Sequence, residues 1–341
     1  FAVSGLDGKL VEKQKLVGGQ VGMEPLANIS QAAITPDGKN LYLFDSADGQ
    51  CSATRYSAGV DAWALQGQGD LLTELGCPLT GGLSMVFSPG GDSLYVFRSL
   101  PLLCSTVCPV LQFDRASTTG ELHLAQNYNF EAAGGIGALA VSPDARHVYV
   151  GGLTEGLGST PFLKAFNREA DGTLVPLADE FDLPADDGWK IGNSIAVINV
   201  AVSPDGGSVV VALWGFNLWE EEYLYAFTRL PETGALVEGR VLSLSKVFVG
   251  EYGVPRANLF AGNGTVLLTL TSWGLVRFSV RPGDEQPYEP TGALLGGQGE
   301  MPSLPYFTAP AGASFSRSGR YLLVANPHTS SVILLAADSC P

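Results

Sequence analysis

Residues 201–215 read AVSPDGGSVVVALWG: a short apolar run, a Ser-Pro-Asp-Gly turn and a second apolar run. The turn chemistry is specific. Pro presets the first turn dihedral, Asp bonds its own backbone, and Gly takes a positive φ at no steric cost. With β-branched residues behind it, the stretch predicts a β-hairpin. Related turns stand at 35–38 (TPDG), 88–91 (SPGG) and 142–145 (SPDA), with weaker ones at 261–264 (AGNG) and 316–319 (SRSG). The six turns recur at intervals of 53, 54, 61, 58 and 55 residues. Each follows a small apolar run (SQAAI, LSMVF, ALAV, NVAV, ANLF, GASF) and precedes a β-rich one (KNLYLF, DSLYVF, RHVYVG, GSVVVA, TVLLTL, RYLLVA). Ala145, where most copies have Gly, is the main local departure.

A second signature falls roughly twenty-five to thirty residues after most of these turns. It reads FDRASTTGEL at 113–122, FNREADGTL at 166–174, FTRLPETGAL at 227–236, and a stretched FSVRPGDEQPYEPTGAL at 278–294. It supplies two more strands joined by a turn. Each repeat thus predicts four antiparallel strands, A to D, and fixed-period four-strand units are the sequence mark of a β-propeller. No long segment carries a 3.6-residue apolar period, which excludes helical solenoids, coiled coils and doubly wound sheets.

The expected fold is therefore all-β, a single propeller domain over residues 1–341 with six blades. FAVSGLDGKL at 1–10 matches the second half of a repeat, and 313–335 supplies a first half plus one more strand. The terminal segments are expected to share one blade and close the ring, which removes free sheet edges. A seventh blade beginning upstream of Phe1 is the alternative, because Phe1–Ser4 and Val332–Leu335 both read as strand C.

Composition narrows the partners. Of 341 residues, 45% are hydrophobic and 16% charged, with 43 Gly and 21 Pro, as in a turn-rich protein with a large core. The 19 Lys and Arg against 34 Asp and Glu leave a net charge of -15, which repels phosphate backbones and anionic headgroups. Nucleic acid is not an expected partner, and no apolar run is long enough to predict membrane insertion. The start at Phe1 suggests a chain whose leader has been removed.

The pairing of "SPDG…LYV" with "F…R…TG.L" resembles the lactonase-type β-propellers, which include 6-phosphogluconolactonase-like proteins and fungal carboxymuconate cyclases. More loosely, it resembles the YVTN surface-protein repeats. The resemblance covers nearly the whole chain, and its motifs are those of turns and strands. Lactonase-type propellers usually have seven blades, against six turn anchors here.

Propeller topology sets the A–B and C–D turns on one face and the B–C loops and D–A crossovers on the other. The SPDG and TG turns are thereby structural, and a site is expected on the opposite face, where loops are longer. Cys51, Cys77, Cys104 and Cys108 are all expected in loops of that face. Two readings compete for them, disulfides in an oxidising compartment and a four-thiolate zinc site in a reducing one. Disulfides are favoured, because no second Cys-x2-Cys knuckle is present; Cys51–Cys77 with Cys104–Cys108 is the preferred pairing, and Cys340 is left odd. The disulfide reading implies an extracellular or periplasmic protein. No metal and no cofactor are expected.

The catalytic inventory is thin. His123 falls in a predicted D strand, His147 sits beside an SPDG-type turn, and His328 lies in a loop of the opposite face. No GxSxG elbow or HExxH helix occurs. A lactonase-like or cyclase-like site at the mouth of the central channel would draw on His328, Arg256, Glu24, Glu251 and Glu300. DSADG at 45–49 has only two carboxylates of a calcium loop. The richer constellation lies in the crossover 178–193 and the B–C loop 213–223, which bring Trp189, Trp214 and Trp219 toward Asp179, Glu180, Asp182, Asp186, Asp187, Glu220, Glu221 and Glu222. A solvated acidic rim over buried tryptophans is one reading. The other is a docking patch for a cationic or glycosylated partner, with aromatic anchors and carboxylate steering. Asn28 (NIS) and Asn263 (NGT) are glycosylation sequons. The expected function is a secreted or periplasmic binding or assembly module for a protein or small-molecule partner; a lactonase-like hydrolase or cyclase is the alternative.

Overall fold

In the computed structural model the described residues are the strands below and the turns 35–39, 88–92, 116–121, 142–146, 169–173, 203–207 and 230–235, with residues 160, 183, 264–265, 281 and 287. In chain order the strands are β1 Ala2–Val3, β2 Leu10–Val11, β3 Ile29–Ile34, β4 Asn40–Ala47, β5 Gln50–Ala58, β6 Trp63–Gly69, β7 Leu83–Phe87, β8 Ser93–Arg98, β9 Val107–Arg115, β10 Leu122–Glu131, β11 Ala133–Val141, β12 His147–Thr154 and β13 Pro161–Arg168. They continue as β14 Leu174–Phe181, β15 Ile195–Val202, β16 Ser208–Gly215, β17 Tyr223–Arg229, β18 Leu236–Ser243, β19 Pro255–Ala261, β20 Val266–Thr271, β21 Gly274–Val280, β22 Tyr288–Leu295, β23 Gly312–Phe315, β24 Tyr321–Asn326 and β25 Ser331–Ala336.

Five four-stranded antiparallel sheets follow one another, β3–β6, β7–β10, β11–β14, β15–β18 and β19–β22, each with its strands in sequence order. The first strand of one sheet lies beside the first strand of the next, β3 by β7, β15 by β19 and β19 by β23. This is a propeller-like all-β fold. By contacts the chain forms two compact units, residues 1–137 with 168–174, and residues 138–167 with 175–341. The terminal strands stand apart among the described ladders: β1 pairs with β2, and β23–β25 form a three-stranded sheet. The expected pairing of residues 1–12 with 313–336 is not among these ladders.

The second strand of each sheet explains its continuous apolar sequence. Val209 to Leu213 in β16 are buried throughout, because the two faces of this strand pack into two different clusters, Val209, Val211 and Leu213 in one and Val210 and Ala212 in the other. His147 to Leu153 in β12 are buried throughout as well. Outer strands alternate instead, with Leu236 buried and Val237 exposed. In the second unit, Tyr149, Leu163, Val197, Val211, Leu213 and Phe227 pack into one core cluster. At about 1.5–3 kcal/mol per fully buried large apolar side chain, these clusters are the main stabilising term.

The turns behave as their sequences demand. Gly38, Gly91 and Gly206 have φ of 70°, 70° and 73°, and each donates its N–H to the carbonyl three residues back. Ala145 holds the same place at φ 58° without a glycine's freedom. Ala145→Gly should therefore raise stability by about 0.5–1 kcal/mol, the left-handed strain outweighing the added unfolded-state entropy. Chemical denaturation at neutral pH checks it; unchanged stability would mean that the turn has relaxed around the alanine.

The fifth repeat departs from expectation. The segment TGAL at 291–294 lies inside β22, with Gly292 opposite Arg277, and the turn sits earlier, where the Arg281 N–H bonds the Pro287 carbonyl. The chain has thus reversed between Arg281 and Pro287, and this TG is not a turn.

Candidate functional site

The two signatures prove to be partners across neighbouring sheets. The arginine that ends each F-x-R motif reaches back to the Asp of the preceding sheet's turn: Arg115 to Asp37 at 3.1 Å, Arg168 to Asp92 at 3.0 Å and Arg229 to Asp144 at 2.9 Å. A second bond runs to the first residue of the preceding sheet's second strand. Its acceptor is Asn40 Oδ1 for Arg115 (2.6 Å), Ser93 Oγ for Arg168 (2.8 Å) and His147 Nδ1 for Arg229 (2.6 Å). Tyr42, Tyr95 and Tyr149, from the LYV-type segments, donate their hydroxyls to the carbonyls of Gly120, Gly172 and Gly234, the turn glycines of the second signature in the following sheet. Tyr95 and Tyr149 also accept from Arg168 Nε and Arg229 Nε. Local sequence context explains these residues as strand and turn chemistry and does not reveal their pairing; the available signal was that the two motifs recur together, one following the other from repeat to repeat.

Electrostatics follow from the latch. Burial raises the Asp144 carboxyl, but hydrogen bonds from Ser142, Arg229 and the Arg146 amide, with the Arg229 charge, outweigh it and hold the group at about 2. Asp37 is held at about 2 in the same way by Thr35, the Lys39 amide and Arg115. Burial pushes the Tyr95 and Tyr149 phenols up to about 12 against the opposing arginine charges, so both remain hydroxyl donors. These groups are committed to structure.

At the fourth-to-fifth seam the turn aspartate, Asp205, remains, but the tyrosine, the arginine and the second-signature turn that would answer it are lost together. Val210 stands where Tyr149 stands in the third sheet, Val280 takes the arginine's place, and the TG turn is gone. Val210, Val280, Phe278 and Tyr288 join one apolar cluster instead.

The opposite edge is the candidate site. The register sets Ile195 opposite Gly215 and Leu213 opposite Tyr223, so the start of β15, the end of β16 and the start of β17 share one edge, away from the 203–207 turn. Trp214 lies within β16 opposite Ala196, and Asp179 and Glu180 lie within β14, not in loops as expected, because the ladders run further than the turn chemistry suggested. Trp189, Trp219, Asp186, Asp187, Glu220, Glu221 and Glu222 fall outside the described residues, as does Asp182.

Cys51 also belongs to a strand, β5, opposite Ser46, and Cys108 to β9, opposite Phe130, where loops were expected. Cys77, Cys104 and Cys340 lie outside the described residues. Arg256 sits in β19 between Pro255, paired with Thr271, and Ala257, paired with Leu270, so it is the extra residue of a β-bulge. Two residues on, the Asn258 N–H donates to Asn199 Oδ1 of β15 at 3.0 Å, and Asn258 Oδ1 accepts from Thr269 at 2.9 Å, tying adjacent first strands together. Glu24, Glu251, Glu300 and His328 are outside the described residues; His328 falls in the connection between β24 and β25, whose ends pair Asn326 with Ser331. His123 is in β10, as expected, and exposed.

No protein-family model matches the chain, and no curated protein matches it in sequence. Solved structures do match. A protein of unknown function from Desulfotomaculum acetoxidans is 14% identical with a TM-score of 0.60, over 92% of this chain and 84% of that one. Kuenenia stuttgartiensis hydrazine synthase is 13% identical with a TM-score of 0.54, over 96% and 99%. The periplasmic gluconolactonase PpgL of Pseudomonas aeruginosa is 18% identical with a TM-score of 0.50, over 88% and 92%. The fold they share with this chain is propeller-like. At these identities the likeness is one of fold.

Proposed function

We propose that the chain is a secreted or periplasmic propeller, one domain of six blades over residues 1–341, that acts as a binding or assembly module. The observation that carries this reading is the shared edge of Ile195, Gly215 and Tyr223, from which the segments bearing Trp189, Trp219 and Glu220–Glu222 depart. The partner is cationic, with the tryptophans as anchors and the carboxylates as steering charges. Neutralising Glu220, Glu221 and Glu222 together should slow association much more than it speeds dissociation, and added salt should have the same effect. Trp219→Ala should act on dissociation and cost within about 0.5 kcal/mol of stability. A loss of about 3–5 kcal/mol would mark Trp219 as core and remove the patch. An oxidising compartment requires two disulfides among Cys51, Cys77, Cys104 and Cys108; mass spectrometry finding four free thiols would end that part. Ring closure requires slow amide exchange in residues 2–11, and fast exchange there would favour seven blades.

The fold likeness to a gluconolactonase favours a second reading, lactone hydrolysis at the channel mouth with His328 and Arg256 and acids from Glu24, Glu251 and Glu300. A lactone-hydrolysis screen with His328→Ala as control separates the two. Robust turnover lost in that variant would replace the binding module by the enzyme.

A further inference from the structure

Three seams use the same latch, but only one places a titratable group at the position that receives the arginine. Asn40 and Ser93 accept from Arg115 and Arg168; His147 accepts from Arg229. Arginine has no acceptor, so His147 Nδ1 must carry the lone pair and Nε2 the proton. The imidazole is almost fully buried, at 1% exposure, and Gly234 packs so closely on it that a Cβ there would sit 2.1 Å from Cδ2. We propose that His147 is a proton-sensitive joint between the third and fourth sheets: only the uncharged ring can hold Arg229, so in mild acid the closed seam loses stability relative to the unfolded chain, in which the ring is free to take up a proton.

The groups facing the ring set the sign together, and burial with the neighbouring arginines prevails. From β17 comes the Arg229 guanidinium, from the preceding turn the Asp144 carboxylate and Arg146, from its own strand Tyr149, and from β13 the Asn167 amide. Asp144 is the only anion among them, and Arg229 already takes both of its oxygens, at 3.1 and 2.9 Å. Arg146 turns to Glu232 at 3.2 Å. A second cation on His147 would face Arg229 with no free counter-ion at bonding distance. Burial and the Arg229 charge together lower the pKa of His147, while Asp144 and the hydrogen bond with Asn167 oppose them. The linkage has one sign: an unfolded histidine takes up a proton near 6.5 that the folded protein refuses, so stability is full above that pH and falls below it. Asp144 and Asp37, held at about 2, lose their contribution only as pH drops from 3.8 toward 2, so the two windows are separate.

The test is urea unfolding of the full chain at pH 7.5, 6.5, 5.5 and 5.0, for the wild type, His147→Asn and His147→Ser. These two residues serve the same position at the sister seams, so both variants keep an acceptor for Arg229. The wild-type unfolding constant should rise up to about thirtyfold from pH 7.5 to 5.0, the limit in which the folded protein binds no proton at this site, and the variants should rise at least fivefold less. Equal pH dependence in wild type and variants overturns the joint. Should neither variant fold, the wild-type His147 ring resonances decide it: an uncharged ring through pH 6 supports the proposal, and ordinary titration centred near 6.5 in the folded protein overturns it.

Discussion

Arg229→Val should cost about 3–5 kcal/mol, among the largest losses available to a single substitution in this chain. The guanidinium is fully buried and joins four groups at once, namely Asp144, His147, the Tyr149 hydroxyl and the Gly206 carbonyl. Removing it takes the charge partner from a partly buried carboxylate, which keeps only its bonds from Ser142 and the Arg146 amide, and takes the donor from the Tyr149 phenol oxygen. Arg229→Lys should recover little, because a point ammonium cannot make the fork of bonds that a planar guanidinium makes. The next seam supplies a sharper test. There Val280, Val210 and Ser208 occupy the places of Arg229, Tyr149 and His147. The triple variant Arg229→Val, Tyr149→Val and His147→Ser should therefore be less destabilised than the sum of its singles by at least about 1 kcal/mol. Strict additivity in denaturant unfolding would show that the three residues do not act as one latch.

Gly234→Ala should cost about 3 kcal/mol or more, for two separable reasons. Its φ of 73° is costly for any residue with a Cβ, and that Cβ would fall 2.1 Å from His147 Cδ2, inside contact distance. The strain belongs to the residue, whereas the clash belongs to the pair. Adding His147→Ser should thus return at least about 1 kcal/mol and leave the backbone share in place. If the double variant is no better than Gly234→Ala alone, the collision is not what the glycine avoids. Gly120 and Gly172 obey the same rule at their seams, where a Cβ would meet Asn40 at 2.6 Å and Gln112 at 2.3 Å.

The repeat was legible because turn chemistry is local. Thr35 to Gly38, Ser88 to Gly91 and Ser203 to Gly206 form the hairpin turns that Pro, Asp and Gly require, and even Ala145 adopts the glycine's conformation. Strand bounds were less legible. Trp214, Cys51 and Cys108 were read as loop residues and are strand residues, since pairing with Ala196, Ser46 and Phe130 extends ladders past the last strongly β-forming side chain. The fifth TG differs for a related reason: a Thr-Gly pair is compatible with a turn but does not compel one, and here the chain has already reversed between Arg281 and Pro287.

Sequence alone determined the all-β class, the period of four-stranded units and the turns between their strands, because each depends on residues within a few positions of one another. Only the tertiary structure decided that the Arg of one motif answers the Asp of another some 76 to 85 residues away, and that His147 is an acceptor while His123 is exposed. Those facts depend on which sheets stack and on how deeply each seam is closed to water. Charge and burial are properties of the assembled neighbourhood, and a residue's own sequence context does not contain them.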